Sequence, residues 1–267
     1  MDFYKNKTVW ITGASSGIGK ELAVQLASKG ANLVLSARSA DKLQALKSEL
    51  TSKGIRVWIV PLDLEKNEYF NQLVADVFNK TNKIDVLINN GGISQRSLAF
   101  ETDMVVDRRI MEINYFGTIA LTKAVLPKMK QQQGEGYIAV TSSLTGIFGF
   151  PMRSAYAASK HALHGYFETL QLEETKNNIF TTIVCPARIA TDISKSALQK
   201  SGEQWGKADE GQEKGMPVDQ CAKQYLKAIA RQKKKIVIGS FGEKFLTKCH
   251  AWMPPLFYKI ASNISPT

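Results

Sequence analysis

The chain has 267 residues, 44% of them hydrophobic and 22% charged. Those proportions exclude a disordered or fibrous chain and are enough for one large core. Lys and Arg number 35 against 24 Asp and Glu, a net charge of +11, yet the basic residues are scattered without an aromatic-interleaved stripe, so no nucleic-acid partner is expected.

Thr8-Val9-Trp10-Ile11 reads as the first strand. Thr12-Gly13-Ala14-Ser15-Ser16-Gly17-Ile18-Gly19 follows, and a helical pattern on Leu22 and Leu26 starts at once. Gly13 permits a tight turn, Gly17 lets backbone approach a ligand, and Gly19 lets the helix pack close to the sheet. The helix N-terminus then offers free N–H groups and a positive dipole end to a pyrophosphate. The second strand, Leu33-Val34-Leu35, ends in Ser36-Ala37-Arg38-Ser39. No acid stands between Leu33 and Ala40 to hold an adenosine ribose, whereas the Arg38 guanidinium suits a 2′-phosphate. NADP(H) is therefore preferred as cofactor, with NAD(H) the alternative. A helix on Leu43, Leu46 and Leu50 leads to the third strand, Val57-Trp58-Ile59-Val60. Asp63 just beyond it reads either as an acceptor for the adenine amino group or as the cap of the next helix.

The fourth strand, Val86-Leu87-Ile88, runs into Asn89-Asn90-Gly91-Gly92, and Asn114 lies in a helical segment from Ile110 to Lys123. The fifth strand, Tyr137-Ile138-Ala139-Val140, precedes Ser142 and Ser143. Only one of these serines faces the cleft if the strand alternation persists. Tyr156 and Lys160 are four apart, on one face of a helix. An adjacent ammonium is expected to lower the phenol's pKa, so that it can give or take a proton. Thr182-Ile183-Val184 and Ile236-Val237-Ile238 complete seven strands. Lys233-Lys234-Lys235, the densest basic run, reads as a solvated helix end.

Continuous apolar strands alternating with helices imply one α/β domain over residues 1–267: a Rossmann-type, doubly wound, seven-stranded parallel sheet flanked by helices. Ligands of such sheets sit at the carboxyl ends of the strands, where these motifs fall. There is no run of about 18 apolar residues, so no transmembrane helix is expected. The N-terminus shows no export signal, and Cys185, Cys221 and Cys249 suggest neither a disulfide framework nor a metal site. The cytoplasm is the expected compartment.

These motifs, in this order, resemble the short-chain dehydrogenase/reductase family over about residues 5–240. The stretch Asn89 to Leu98 is similar to the branch called SDR family member 7, and Ala155 to Leu163 to the hydroxysteroid dehydrogenases. The resemblance implies Asn114, Ser143, Tyr156 and Lys160 as catalytic residues. Ser143 is chosen over Ser142 because it stands 13 residues before Tyr156, the family's spacing. Its hydroxyl would bond the substrate oxygen, Lys160 would hold the nicotinamide ribose, and Asn114 would hold, by its side chain or its backbone, a water linking Lys160 to solvent. Cofactor contacts are implied for Gly13, Ser15, Ser16, Gly17, Ile18, Gly19, Arg38, Asp63, Leu64, Asn90, Gly91, Gly92, Tyr156, Lys160, Pro186, Ile189 and Thr191. Two departures stand out: Gly91 replaces the family's Ala, and Ala187 replaces a Gly, with less access to positive φ. A homodimer or homotetramer is implied as well.

Residues 192–216 correspond to a substrate lid. Leu144, Ile147, Phe148 and Phe150 are expected to wall the substrate side, which suggests a hydrophobic ketone, aldehyde or secondary alcohol, handled in the reductive direction. His161 and His164 read as packing residues. The apolar extension over residues 241–267 suits a membrane surface, a cover for the cleft or an oligomer interface. A catalytically silent dinucleotide binder, or a membrane-associated protein, is the alternative to the enzyme.

Overall fold

The computed structural model describes residues 2–51, 54–207 and 209–264. Residue 208 of the expected lid and residues 265–267 of the expected C-terminal extension lie outside them. The strands are β1 (Thr8–Thr12), β2 (Asn32–Ser36), β3 (Val57–Ile59), β4 (Val86–Asn89), β5 (Gly136–Thr141), β6 (Ile179–Pro186) and β7 (Lys235–Ile238). They form one parallel sheet in the order β3-β2-β1-β4-β5-β6-β7. The helices are α1 (Gly17–Ser28), α2 (Ala40–Thr51), α3 (Phe70–Thr81), α4 (Met104–Met111), α5 (Gly117–Gln131), α6 (Ser154–Glu174), α7 (Glu210–Glu213), α8 (Val218–Ala230), α9 (Phe241–Trp252) and α10 (Pro254–Ala261).

Alternation along β1 shows why the fold has two cores. Val9 and Ile11 point to the face covered by α1, α2 and α8, where Leu22, Leu26, Leu43, Leu46 and Tyr225 pack. Trp10 points to the other face, against Phe70, Leu121, Val125, Leu163 and Phe167 of α3, α5 and α6. Every residue of β1 is buried, so its centre, Val9-Trp10-Ile11, is apolar on both faces, with a threonine at each end. The chain winds outward from β1 to β3, then crosses back to β4. That reversal leaves a crevice beyond the carboxyl ends of β1 and β4.

Two expectations change, and one departure from the family's pattern is accommodated. The helix expected from Ile110 to Lys123 contains a π turn, Glu112–Phe116, between α4 and α5. Chain crowding sits at its exit: a Cβ on Gly117 would lie 2.1 Å from the Leu64 carbonyl oxygen. The lysine run is not a helix end, because α8 stops at Ala230. Lys233 and Lys234 fall in the turn, and Lys235 opens β7 and pairs with Glu168. Ala187 has no positive φ; its N–H donates to the Ile238 carbonyl at 2.8 Å, continuing the ladder with β7.

A small separate cluster lies under the last two helices. Phe148 and Phe257 pack with tilted rings, centroids 4.8 Å apart, beside Cys249, with Leu144, Ile147 and Phe150 against them. Helix α9 is anchored by a capping box, Ser240 with Glu243.

Candidate active site

A cleft of about 760 Å³ opens at the carboxyl ends of the strands, within the range of ligand pockets. The glycine loop forms one end. Gly13 and Gly17 have φ of +66° and +51°, the region that favours glycine. Gly19 has no room for a side chain, since a Cβ would stand 2.2 Å from the Gly13 carbonyl oxygen. Ser16 precedes α1 without a side-chain cap, which leaves first-turn N–H groups for a ligand. The backbone thus fits a pyrophosphate. Thr12, missed in the sequence, ties the strand ends together. Its hydroxyl accepts from Asn90 N–H at 3.0 Å and Gly91 N–H at 2.9 Å. Asn90 in turn accepts from the Thr141 hydroxyl at 3.1 Å.

Ser15, Ser16, Ile18, Arg38, Asp63, Leu64, Pro186, Ile189 and Thr191 line the same cleft. Lys42, another residue the sequence reading missed, joins Arg38 there; it lies on α2, one turn beyond Arg38. Asp63 does not cap α3, whose N-cap is Tyr69. Its carboxylate instead accepts from Glu65 N–H at 3.1 Å, within a local turn. Leu64 explains Gly91, because a Cβ at Gly91 would lie 2.8 Å from Leu64 Cδ1.

At the other end, Ser143 and Tyr156 share a side-chain hydrogen bond. The Ser143 hydroxyl also accepts from Thr145 N–H at 3.2 Å, which fixes its rotamer. Ser142 turns the other way, 2.8 Å from His164 Nε2. Burial, reinforced by the Lys235 charge, pushes His164 down to about 4, so it stays neutral. His161 is exposed and bonds the Ala157 carbonyl. No metal cluster of His, Cys, Asp or Glu occurs among the described residues.

Lys160 is buried, donates to the Thr141 carbonyl at 2.8 Å, and lies 5.7 Å from the centre of the Tyr156 ring. Burial pushes its ammonium down to about 8. The sequence-based electrostatics of Tyr156 need correcting. Burial raises the phenol's pKa; the Ser143 hydrogen bond and the charges of Arg153 and Arg96 oppose that rise. Asn114 is fixed through its side chain. Its amide donates to the Ile93 carbonyl at 2.9 Å and the Ser159 hydroxyl at 3.0 Å, and accepts from Ile93 N–H at 2.8 Å. Both of its donors are committed, so the expected link to Lys160 is not made by the amide N–H groups.

A model of the family described as short chain dehydrogenase matches residues 7–202. The chain belongs to the short-chain dehydrogenase/reductase family. It is 38% identical over 261 residues to a dehydrogenase/reductase SDR family protein 7-like of Drosophila melanogaster, covering 96% of this chain and 80% of that one. A short-chain dehydrogenase/reductase from Burkholderia phymatum, solved in complex with NAD, has the same fold, with a TM-score of 0.81, 23% identity and coverage of 100% and 98% of the two chains. An alcohol dehydrogenase from the archaeon Thermococcus sibiricus, complexed with 5-hydroxy-NADP, gives 0.76 with 26% identity, covering 89% of this chain and 97% of that one. As a short-chain dehydrogenase/reductase, this protein is an oxidoreductase that works between CH–OH and carbonyl groups with a nicotinamide dinucleotide.

The substrate side of this short-chain dehydrogenase/reductase is not walled as expected. Leu144, Phe148 and Phe150 do not line the cleft, because α9 and α10 pack over that segment and bury Phe148. Ile93, Ile193, Leu198 and Gln204 line it instead, the last three from the irregular stretch between β6 and α8. Isolated bridges, Gln95 with Leu198 and Leu198 with Gln204, seat that stretch.

Proposed function

We propose that this short-chain dehydrogenase/reductase is an NADP(H)-dependent reductase of hydrophobic ketones and aldehydes. The carrying observation is the pair of joined hydroxyls, Ser143 and Tyr156, in one cleft with the glycine loop at its far end and Lys160 alongside. When bound, the nicotinamide supplies the hydride. Ser143 holds the substrate oxygen and Tyr156 delivers a proton to it. A phenol held protonated by burial suits the reductive direction, in which it starts as the acid. Ile93, Ile193 and Leu198 favour an apolar substrate.

Arg38 and Lys42 beside the glycine loop favour a 2′-phosphate over a bare ribose. The test is a nicotinamide-fluorescence titration with NADPH and NADH, followed by a ketone screen. Arg38→Ala is expected to weaken NADPH about 10- to 100-fold, the loss of charge-assisted hydrogen bonds, and to leave NADH within about twofold. Equal affinities in the wild type would remove the NADP(H) preference.

A second reading concerns where the enzyme works. Phe241, Phe245, Trp252, Met253, Leu256 and Tyr258 are exposed on and between α9 and α10, with Lys244, Lys248 and Lys259 exposed among them. Apolar side chains interleaved with lysines suit peripheral contact with an anionic membrane, the source of a lipid-like substrate. No helix among the described residues is long and apolar enough to cross a membrane. Co-sedimentation with phosphatidylcholine/phosphatidylserine vesicles is expected, with loss of about tenfold in Trp252→Ser/Leu256→Ser. Binding unchanged by that double substitution would discard the surface.

A further inference from the structure

Among the described residues, the stretch over the substrate end carries one buried carboxylate, Asp209, at the entry to α7 and 4% exposed. Two guanidinium groups from the fixed part of the molecule meet it. Arg96, in the loop after β4 and 3% exposed, donates through Nε to both carboxylate oxygens at 3.2 and 3.0 Å and through Nη2 to Oδ2. Arg153, three residues before Tyr156 on the threshold of α6, reaches the same Oδ2 at 3.3 Å.

The two arginines meet again on Gln95, whose carbonyl accepts from Arg96 at 2.7 Å and from Arg153 at 3.2 Å. The Gln95 side chain then accepts from Ala155 N–H at 2.8 Å and Tyr156 N–H at 3.3 Å. Gln95 also donates to Ser97, Thr102 and Ser154, so it is pinned on every side. A continuous chain of hydrogen bonds therefore runs from the lid carboxylate to the backbone of Tyr156. Two cations share one anion in it. Burying such a cluster is costly unless every group is matched, and removing one partner leaves an uncompensated charge.

We propose that Asp209, Arg96 and Arg153 are positioning residues: they tie the lid to the first turn of α6, and the seating of Asp209 sets how much positive charge the Tyr156 hydroxyl feels. The phenol's surroundings are then defined on every side. Ser143 bonds it, Lys160 lies beside its ring, the charges of Arg153 and Arg96 act on it, and Arg188, packed at Gly211, acts in turn on Arg153. With Asp209 seated, one carboxylate faces both guanidinium groups, which still act on the phenol; with Asp209 withdrawn, they act without that counter-charge. The proton affinity of the catalytic acid thereby follows the lid. The phenol's catalytic part in this rests on the function proposed above, whereas the ion cluster stands on its own contacts.

The test needs no substrate. Tyrosinate absorbance is followed against pH with NADP+ or NAD+ bound, whichever binds, in parent and Tyr156→Phe forms; their difference isolates Tyr156. Asp209→Asn keeps the shape and deletes the negative charge, so the midpoint is expected to fall by about half a pH unit or more. Arg153→Gln is expected to raise it by a similar amount, while Arg153→Lys, which keeps the charge, leaves it at the wild-type value. Shifts of one sign in both charge-changing variants, or no shift in either, overturn the electrostatic half. Trypsin cleavage after Lys200 and Lys207 reads the tie itself and is expected to quicken about tenfold in Asp209→Asn; an unchanged rate overturns it. Should Arg153→Gln fail to fold, Asp209→Asn and Arg153→Lys still read both quantities. Absence of ketone turnover would sink the proposed function and leave these shifts standing.

Discussion

Tyr156→Phe is expected to lower kcat/KM for carbonyl reduction about 10³-fold, while NADPH affinity changes by less than about twofold. Phenylalanine keeps the ring, its packing and the helix, and deletes only the hydroxyl that bonds Ser143. The loss should therefore fall on kcat rather than KM, as it does when an interaction belongs to the transition state. Steady-state rates with the best ketone from the screen give the answer. Activity within tenfold of wild type would assign the proton to another group and would favour a protein that binds dinucleotide without turning it over.

The second large effect belongs to the glycine loop. Gly19→Ala is expected to weaken nucleotide binding about 100-fold and to cost about 1–3 kcal/mol of stability. The added Cβ would stand 2.2 Å from the Gly13 carbonyl oxygen and 2.6 Å from Asn90 Nδ2. A backbone carbonyl cannot swing aside like the tip of a side chain. The loop must move, and it is already held in a narrow conformation by the positive φ of Gly13. Gly165→Ala is the control. It lies in the middle of α6 with nothing within 4 Å of a Cβ, so the exchange should be neutral or stabilising by up to about 1 kcal/mol. Fluorescence titration and urea unfolding separate the two variants. Equal behaviour of Gly19→Ala and Gly165→Ala would mean that the loop yields more readily than its contacts indicate.

What the sequence disclosed was whatever rests on local spacing. Buried strands are largely apolar, so all seven could be located, six of them within a residue at either end; β6 starts at Ile179, three residues before the apolar run that marked it. The glycines between β1 and α1 have few roles other than the one they play. Tyr156 and Lys160 are related by one helical turn. What it concealed depends on distant segments meeting. Phe148 and Phe150 read as a pocket wall because an aromatic run looks the same whether it faces a ligand or protein; their partners, Cys249 and Phe257, arrive about a hundred residues later. Arg96, Arg153 and Asp209 are likewise scattered, and no local pattern unites them. The direction of the Tyr156 shift was beyond reach for another reason. The i, i+4 lysine is visible in the sequence, whereas the burial that raises the phenol's pKa, and the arginine charges that oppose it, exist only in the fold.

Ala187 and Gly239 are opposed across the last pair of strands. A Cβ at Gly239 would lie 2.7 Å from the Ala187 methyl group, so the space between β6 and β7 holds one methyl and no more. Glu243 Oε2 closes the same spot, 2.8 Å from that Cβ, and the capping box at the start of α9 holds it there. Gly239 is thus shut in from two sides, by the end of β6 and by the carboxylate that caps a helix. A methyl added at Gly239 presses on both, and Ala187→Gly relieves only one of the two contacts, so the sheet edge and the helix cap share a single volume constraint.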